Sequence, residues 1–428
     1  MKGLLFTYAM TYGGAAVSLL HPYYGFLIYV AFANLKPDAL WFYSVPQGGN
    51  YSRIVAGAFL VGWLIHGFGS WNFGRAKSMV TCLLFFWGWL VLGAFNSPDQ
   101  EKAWPSLIAL SKVYLPVVAG ITLIDSVHKL KQLAWVLVAT QGFLAFEFNQ
   151  MYYAGQFSPS DFNALGMDNN CHAITMVTAA GIALFLGLHA DKWWQKAAAF
   201  VAAALMAHFV LFSLSRGGML AMGVMGAVAF CLVPKRPWHF AVLIAAALVV
   251  VRLAGPEVRK EFYSSFGNNE KLDSSAQSRF DLTRHCLDVM MKNPITGCGL
   301  RNWPNVAPEY GWPKGKEGHN TWAQAGAELG IPGVVSLLGF YLLGCWNLLG
   351  IARESTPVAD PWLRYMARMV LAATAGFVVS AAFVTLHGAE IPYYTMVLGA
   401  GVLKLHSLGL VPATSRPLPM PTAQAATA

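Results

Sequence analysis

Residues 54–69, 78–95 and 217–233 run as long apolar blocks with no lysine, arginine, aspartate or glutamate in them. Such blocks leave a chain few choices. About 20 residues at 1.5 Å each span a bilayer's hydrocarbon. Lipid offers the backbone no hydrogen-bond partner, so each crossing segment must close its own bonds as a helix. The rest of the chain agrees. Only 11% of its 428 residues are charged, against about 25% in soluble domains.

Thirteen segments are candidate spans: 4–20, 22–34, 54–69, 78–95, 105–124, 132–149, 172–189, 196–214, 217–233, 239–253, 331–351, 364–386 and 391–406. His21-Pro22 alone separates the first two, which read as one kinked span, a re-entrant hairpin or two thin spans. The expected architecture is an all-α polytopic membrane protein of about 12 transmembrane helices. Residues 1–20 show no small-residue cleavage site leading into a polar segment, so they are expected to stay as a first helix.

Basic residues orient such a protein. Arg75 and Lys77, Lys129 and Lys131, Lys192 and Lys196, Lys235 and Arg236, and Arg353 with Arg364 and Arg368 fall in alternate loops. Those loops are expected to be cytoplasmic. The other loops then face outward: 150–171, which has no Lys or Arg, the turn at 213–217, and the long segment 254–318. The formal charge of +9 is thereby accounted for by orientation, and no nucleic-acid partner is expected.

The long outward segment alone has soluble character, with Arg259, Lys260, Glu261, Asp273, Arg279, Asp281 and Arg284 among apolar residues. Apolar positions in 278–292 recur at helical spacing, which predicts an amphipathic helix stopped by Asn293-Pro294. Residues 319–329 read as a short helix before Gly330-Ile331-Pro332-Gly333. The division is therefore 1–253 for the first transmembrane helices, 254–330 for an outward loop carrying short helices, and 331–408 for the last spans. A Pro/Ala/Thr-rich tail at 409–428 is expected to be disordered. Of six cysteines, Cys82, Cys231 and Cys345 lie in apolar spans. Cys286 and Cys298 share the outward segment, and whether they pair is left open.

Arg216 sits between two spans and before two glycines. Arginine near membrane depth is costly and tends to be functional. A guanidinium beside a helix N-terminus suits a phosphate; the other reading is an arginine snorkelling to headgroups. Arg279 and Arg284 stand five apart, on different faces of their helix, and read as anion ligands or as solvated charges. His319 opens Gly318-His319-Asn320-Thr321-Trp322, where a neutral imidazole could act as general base or serve the structure. His172 and His387 lie toward the outer side without a supporting constellation. Tyr152, Tyr153, Trp303, Trp312 and Trp322 could stack on sugars or form an interface belt, and Asp168-Asn169-Asn170 could meet polar sugar groups. No HExxH, Cys/His cluster or outer acidic pair is present, so neither metal nor cofactor is expected.

Three motifs, in order, resemble the O-antigen ligase and polymerase superfamily. They are Phe212-Ser213-Leu214-Ser215-Arg216-Gly217-Gly218; Ser278-Arg279-Phe280 followed by Asn293-Pro294-Ile295-Thr296-Gly297-Cys298-Gly299-Leu300; and His319-Asn320-Thr321 with Glu328-Leu329-Gly330-Ile331-Pro332-Gly333. The 22–41 region is similar to the exosortase-associated O-glycosylation branch of that superfamily. The resemblance implies a GT-C-like glycosyltransferase in the bacterial inner membrane, with a large periplasmic helical loop. It implies an undecaprenyl-pyrophosphate-linked glycan as donor and lipid A-core as acceptor, in lipopolysaccharide synthesis. A repeat-unit polymerase or an O-linked protein oligosaccharyltransferase would use the same donor. Carried over by motif, Arg216 and Arg279 would hold the pyrophosphate, Arg284 and Arg301 would be further anion contacts, and His319 would activate the acceptor hydroxyl.

Overall fold

In a computed structural model the chain is 76% helical, with almost no sheet. The structure describes residues 2–159, 161–235, 237, 240, 274–386 and 389–409. Nearly all of the expected span 239–253, and Arg236, Arg259, Lys260, Glu261, Asp273, His387 and the tail beyond Gly409, lie outside those residues.

The apolar blocks become helices α1 (Lys2–Leu20), α2 (Pro22–Leu35), α3 (Tyr51–Ile65), α4 (Lys77–Phe95), α5 (Gln100–Leu123), α6 (Val127–Tyr153), α7 (Asn169–His189), α8 (Trp193–Phe212) and α9 (Arg216–Leu232). The amphipathic segment is α10 (Ser274–Lys292), and α11 (Thr321–Ala352), α12 (Pro361–Ser380) and α13 (Ile391–Leu408) follow. Among the described residues, seven helices are long and apolar enough to cross a membrane: α1, Gly74–Phe95 (α4 with the turn before it), α5, α7, α8, α11 and α12. Helices α3 and α9 are apolar but shorter.

The first two segments form an antiparallel hairpin rather than one kinked span. Gly14 lies against Ile28 and Ser18 against Gly25, so position falls along α2 as it rises along α1. The chain reverses at His21, and Pro22 opens α2, where its missing N–H costs nothing.

Helices α7 and α12 form the centre, with 83% and 72% of their apolar windows buried. Small residues let them approach: a Cβ on Gly181 would stand 3.1 Å from the Ala373 Cα. Helix α8 packs against α7, α1 packs against α2 and α3, and both expose large side chains such as Leu5 and Phe200. Lipid can cover an apolar surface of that kind.

Contacts draw the basic loops to one end of the bundle. Lys131 lies 3.7 Å from Asp191 and 4.0 Å above the Trp362 ring. The Asn347 amide donates to the Arg75 carbonyl, and the Arg75 N–H to Ser407 Oγ. Lys404, fully buried there, donates to the carbonyls of Ser70, Ile121 and Thr122. Lys235, Arg353 and Arg368 line one cavity.

One expected span is shorter than its apolar run. Helix α12 stops at Ser380, and residues 381–386 leave the helix as turns. The carbonyls of Ala381 and Val384 accept instead from the N–H and Oγ1 of Thr321, so tertiary partners replace helical ones.

Candidate functional site at the end opposite the basic loops

Four chain segments meet at this end. A two-residue turn at Leu165 and Gly166, both with positive φ, closes a hairpin that pairs Asn163 with Asp168 and Ala164 with Met167. Asp168 then caps α7, its carboxylate accepting from the Cys171 N–H at 2.8 Å. Asn169 donates to the Ser213 carbonyl at 2.8 Å, fastening this corner to the junction of α8 and α9.

At that junction Ser215 caps α9, accepting from the Gly218 N–H at 3.2 Å, so Arg216 is the first residue of the helix. The glycines after it are there for close approach. A Cβ on Gly217 would stand 2.9 Å from Phe383, and one on Gly218 2.9 Å from Ala173. Arg216 is half-buried above this contact.

His319 approaches the same 381–386 turn from the other side. Asn320 caps α11 by accepting from the N–H groups of Trp322 and Ala323, and its amide reaches Thr283 Oγ1 of α10 at 3.4 Å. Thr321 locks the segment down, donating to Val384 O at 2.7 Å and accepting from the Leu386 N–H at 3.1 Å. His319 itself has φ +50 and is half-buried. Burial, then the cations Lys316 and Arg279, hold its imidazole below the ordinary histidine value. Glu317 and Asp168 pull the other way. The imidazole is therefore neutral at pH 7, the form a general base needs.

Behind His319 lies a polar hub in which Glu328, part of the third motif, is joined by Gln324 and Glu317, which the motifs did not include. Gln324, buried, accepts at Oε1 from the Gly318 N–H and from Thr385 Oγ1, both at 2.8 Å. Its Nε2 donates to Glu317 at 2.8 Å and to Glu328 at 2.9 Å. Gln324 and Glu328 stand four apart in an alanine-rich run, which is the signal that could have marked them.

Arg301 belongs to this hub. Its guanidinium lies 2.9 Å from Glu317 Oε1, and its N–H donates to Glu328 Oε2 at 2.9 Å. The Asn293–Leu300 motif folds onto the same helix: the N–H groups of Cys298, Gly299 and Ile331 donate to the carbonyls of Ala327, Glu328 and Pro294. Gly297 and Gly330, both at positive φ, make that approach possible. Cys286 and Cys298 are both thiols here, raised in pKa by burial.

Helix α10 has two faces. Leu282, Cys286 and Val289 are buried, and Phe280, Arg284, Leu287 and Met291 are exposed on the opposite side. Arg279 is half-buried and close enough to shift His319, whereas Arg284 points away from the packed face. Trp303 is fully buried, and Trp322 donates to the Val378 carbonyl at 3.1 Å, so both serve packing. Tyr153 stays exposed. His172 is buried beneath the hairpin, against the Ala164 carbonyl. Among the described residues, no group of three or more His, Cys, Asp or Glu could hold a metal ion.

The family model described as O-antigen ligase matches residues 201–338, which include Arg216, Arg279, Arg284, Arg301 and His319. Over that third of its length the chain is similar to the O-antigen ligase family. No curated protein matches the chain. The matched stretch begins inside α8 and ends within α11, so it takes in α9, α10 and the segment that carries Arg301, Glu317, Gln324 and Glu328.

Proposed function

We propose that this protein is an inverting, metal-independent O-antigen ligase that moves a glycan from undecaprenyl pyrophosphate to a hydroxyl of lipid A-core. The observation that carries the reading is His319, held neutral at the head of α11 within the electrostatic reach of Arg279 and Asp168. His319 takes the proton of the acceptor hydroxyl. The hydroxyl oxygen bonds to the anomeric carbon as the bond from that carbon to the pyrophosphate oxygen breaks, on the opposite face. Arg216 and Arg279 stabilise the charge that gathers on the departing pyrophosphate. General-base assistance of this kind is worth about 10²–10⁴ in rate. In this reading the bundle is a GT-C-like fold of about 12 spans in the bacterial inner membrane, counting α2, α3, α6, α9 and α13 with the longer helices. The site faces the periplasm because the basic loops share the other end. Arg284 and Arg301 contribute at most secondary anion contacts, since one points outward and the other is ion-paired to Glu317.

The test supplies purified lipid-linked glycan with lipid A-core, with a Ser/Thr peptide, or alone. Product on lipid A-core is expected. Product on peptide, or a lengthened lipid-linked glycan, would reassign the chain to a protein glycosyltransferase or a polymerase. Full transfer by both His319→Ala and Arg216→Ala would overturn the mechanism, and strong inhibition by a chelator would show a metal in it.

A further inference from the structure

We propose that the cavity at the basic end of the bundle binds the phosphate headgroup of an anionic phospholipid from the leaflet on that side. The cavity, about 540 Å³, opens where α9 and α11 end. Three cations, Lys235, Arg353 and Arg368, line it with a single carboxylate, Glu354. They come from three places in the chain: the segment after α9, the segment after α11, and α12.

That carboxylate is already engaged. Glu354 lies 2.7 Å from Arg368 and 3.2 Å from Arg364. Arg368, 4% exposed, also donates from Nε to the Ala352 carbonyl. Among the described residues Lys235 donates to the carbonyls of Phe230 and Val233, two of the three bonds its ammonium can make. Arg353 is exposed and has no carboxylate partner among the described residues. A fork of guanidinium donors beside an ammonium suits phosphate oxygens.

The rest of the lining selects an amphiphile over a soluble phosphate. Leu232, Val233, Leu349 and Ala352 form the apolar wall. Leu349 is 40% exposed and Trp346, one turn earlier on α11, is 74% exposed, so the wall continues down the lipid-facing side of the bundle. An acyl chain can lie there while its headgroup sits among the cations. Orientation alone asks for positive charge at this end, but not for a hollow in which charges from separate segments converge.

The experiment measures lipid retention by the purified full-length protein, using native mass spectrometry with phosphatidylglycerol and phosphatidylcholine. Wild type is expected to retain phosphatidylglycerol preferentially, and Lys235→Gln with Arg353→Gln to weaken that retention by about tenfold, as charged hydrogen bonds are lost. Lys192→Gln with Lys196→Gln, at the same end but outside the cavity, should leave it unchanged. Should the double variant melt early, exposed Arg353→Gln alone is read. Equal retention of the two lipids, equal weakening by the Lys192/Lys196 pair, or displacement by millimolar inorganic phosphate would each overturn the proposal.

Discussion

His319 is surrounded by groups that set when it can work. Burial, Lys316 and Arg279 all disfavour the imidazolium, so the neutral base persists below the ordinary histidine pKa of about 6.5. Transfer should therefore hold from neutral pH down past that value and fall only in more acidic solution. Lys316→Gln removes one of the cations that depress the pKa. Its acid limb should move to higher pH while the rate on the plateau is kept, as pH profiles of the two proteins would reveal; coincident limbs would contradict the electrostatic account. Gln324 acts at one remove. Replacing it with Ala strips partners from Gly318, Thr385, Glu317 and Glu328, and each unmet buried group costs about 1–3 kcal/mol. We expect a lower melting temperature together with weaker transfer, and an unchanged melting temperature would show the hub to be dispensable. The candidate arginines and histidine stood out in the sequence because charge is rare in this chain. Gln324 did not: its spacing to Glu328 is only a weak helical signal, and its role depends on Thr385, which only the fold brings near.

Helix α11 is two elements joined at Gly330, whose φ of 69° and ψ of −170° fall in a region essentially restricted to glycine. Residues before the break carry Gln324 and Glu328 of the hub, and those after it form the long apolar stretch of the helix. A Cβ at Gly330 would also stand 2.4 Å from the Ile295 carbonyl oxygen. Gly330→Ala should thus destabilise the protein by roughly 1–3 kcal/mol of backbone strain, with steric cost added. Chemical unfolding in detergent checks this, and wild-type stability would refute it. The break was legible from Gly330-Ile331-Pro332-Gly333, as was the end of α10 at Asn293-Pro294, because each rests on local backbone chemistry; His21-Pro22 marked an interruption but left a kink, a hairpin and two spans equally open. The early end of α12 was not. Residues 381–386 are apolar enough to continue a helix, and they leave it for partners on Thr321, far away in sequence.

At the scale of the molecule, alternation of charge along the chain becomes separation in space. The basic loops share one end, and Asp168, Arg216 and His319 share the other. A membrane-impermeant maleimide applied to intact cells should label Gly155→Cys above the wild-type background. Lys192→Cys should be labelled only after permeabilisation, and the reverse pattern would invert the orientation. The same geometry fixes an order of assembly. Synthesis runs from the N-terminus, so the segment carrying His319 is made before the turn at 381–386 that receives it. Until α12 has been inserted, the N–H and hydroxyl of Thr321 lack the carbonyls of Ala381 and Val384. The candidate site is therefore closed only once the turn after α12 has been made, and a nascent chain released before it carries His319 unseated.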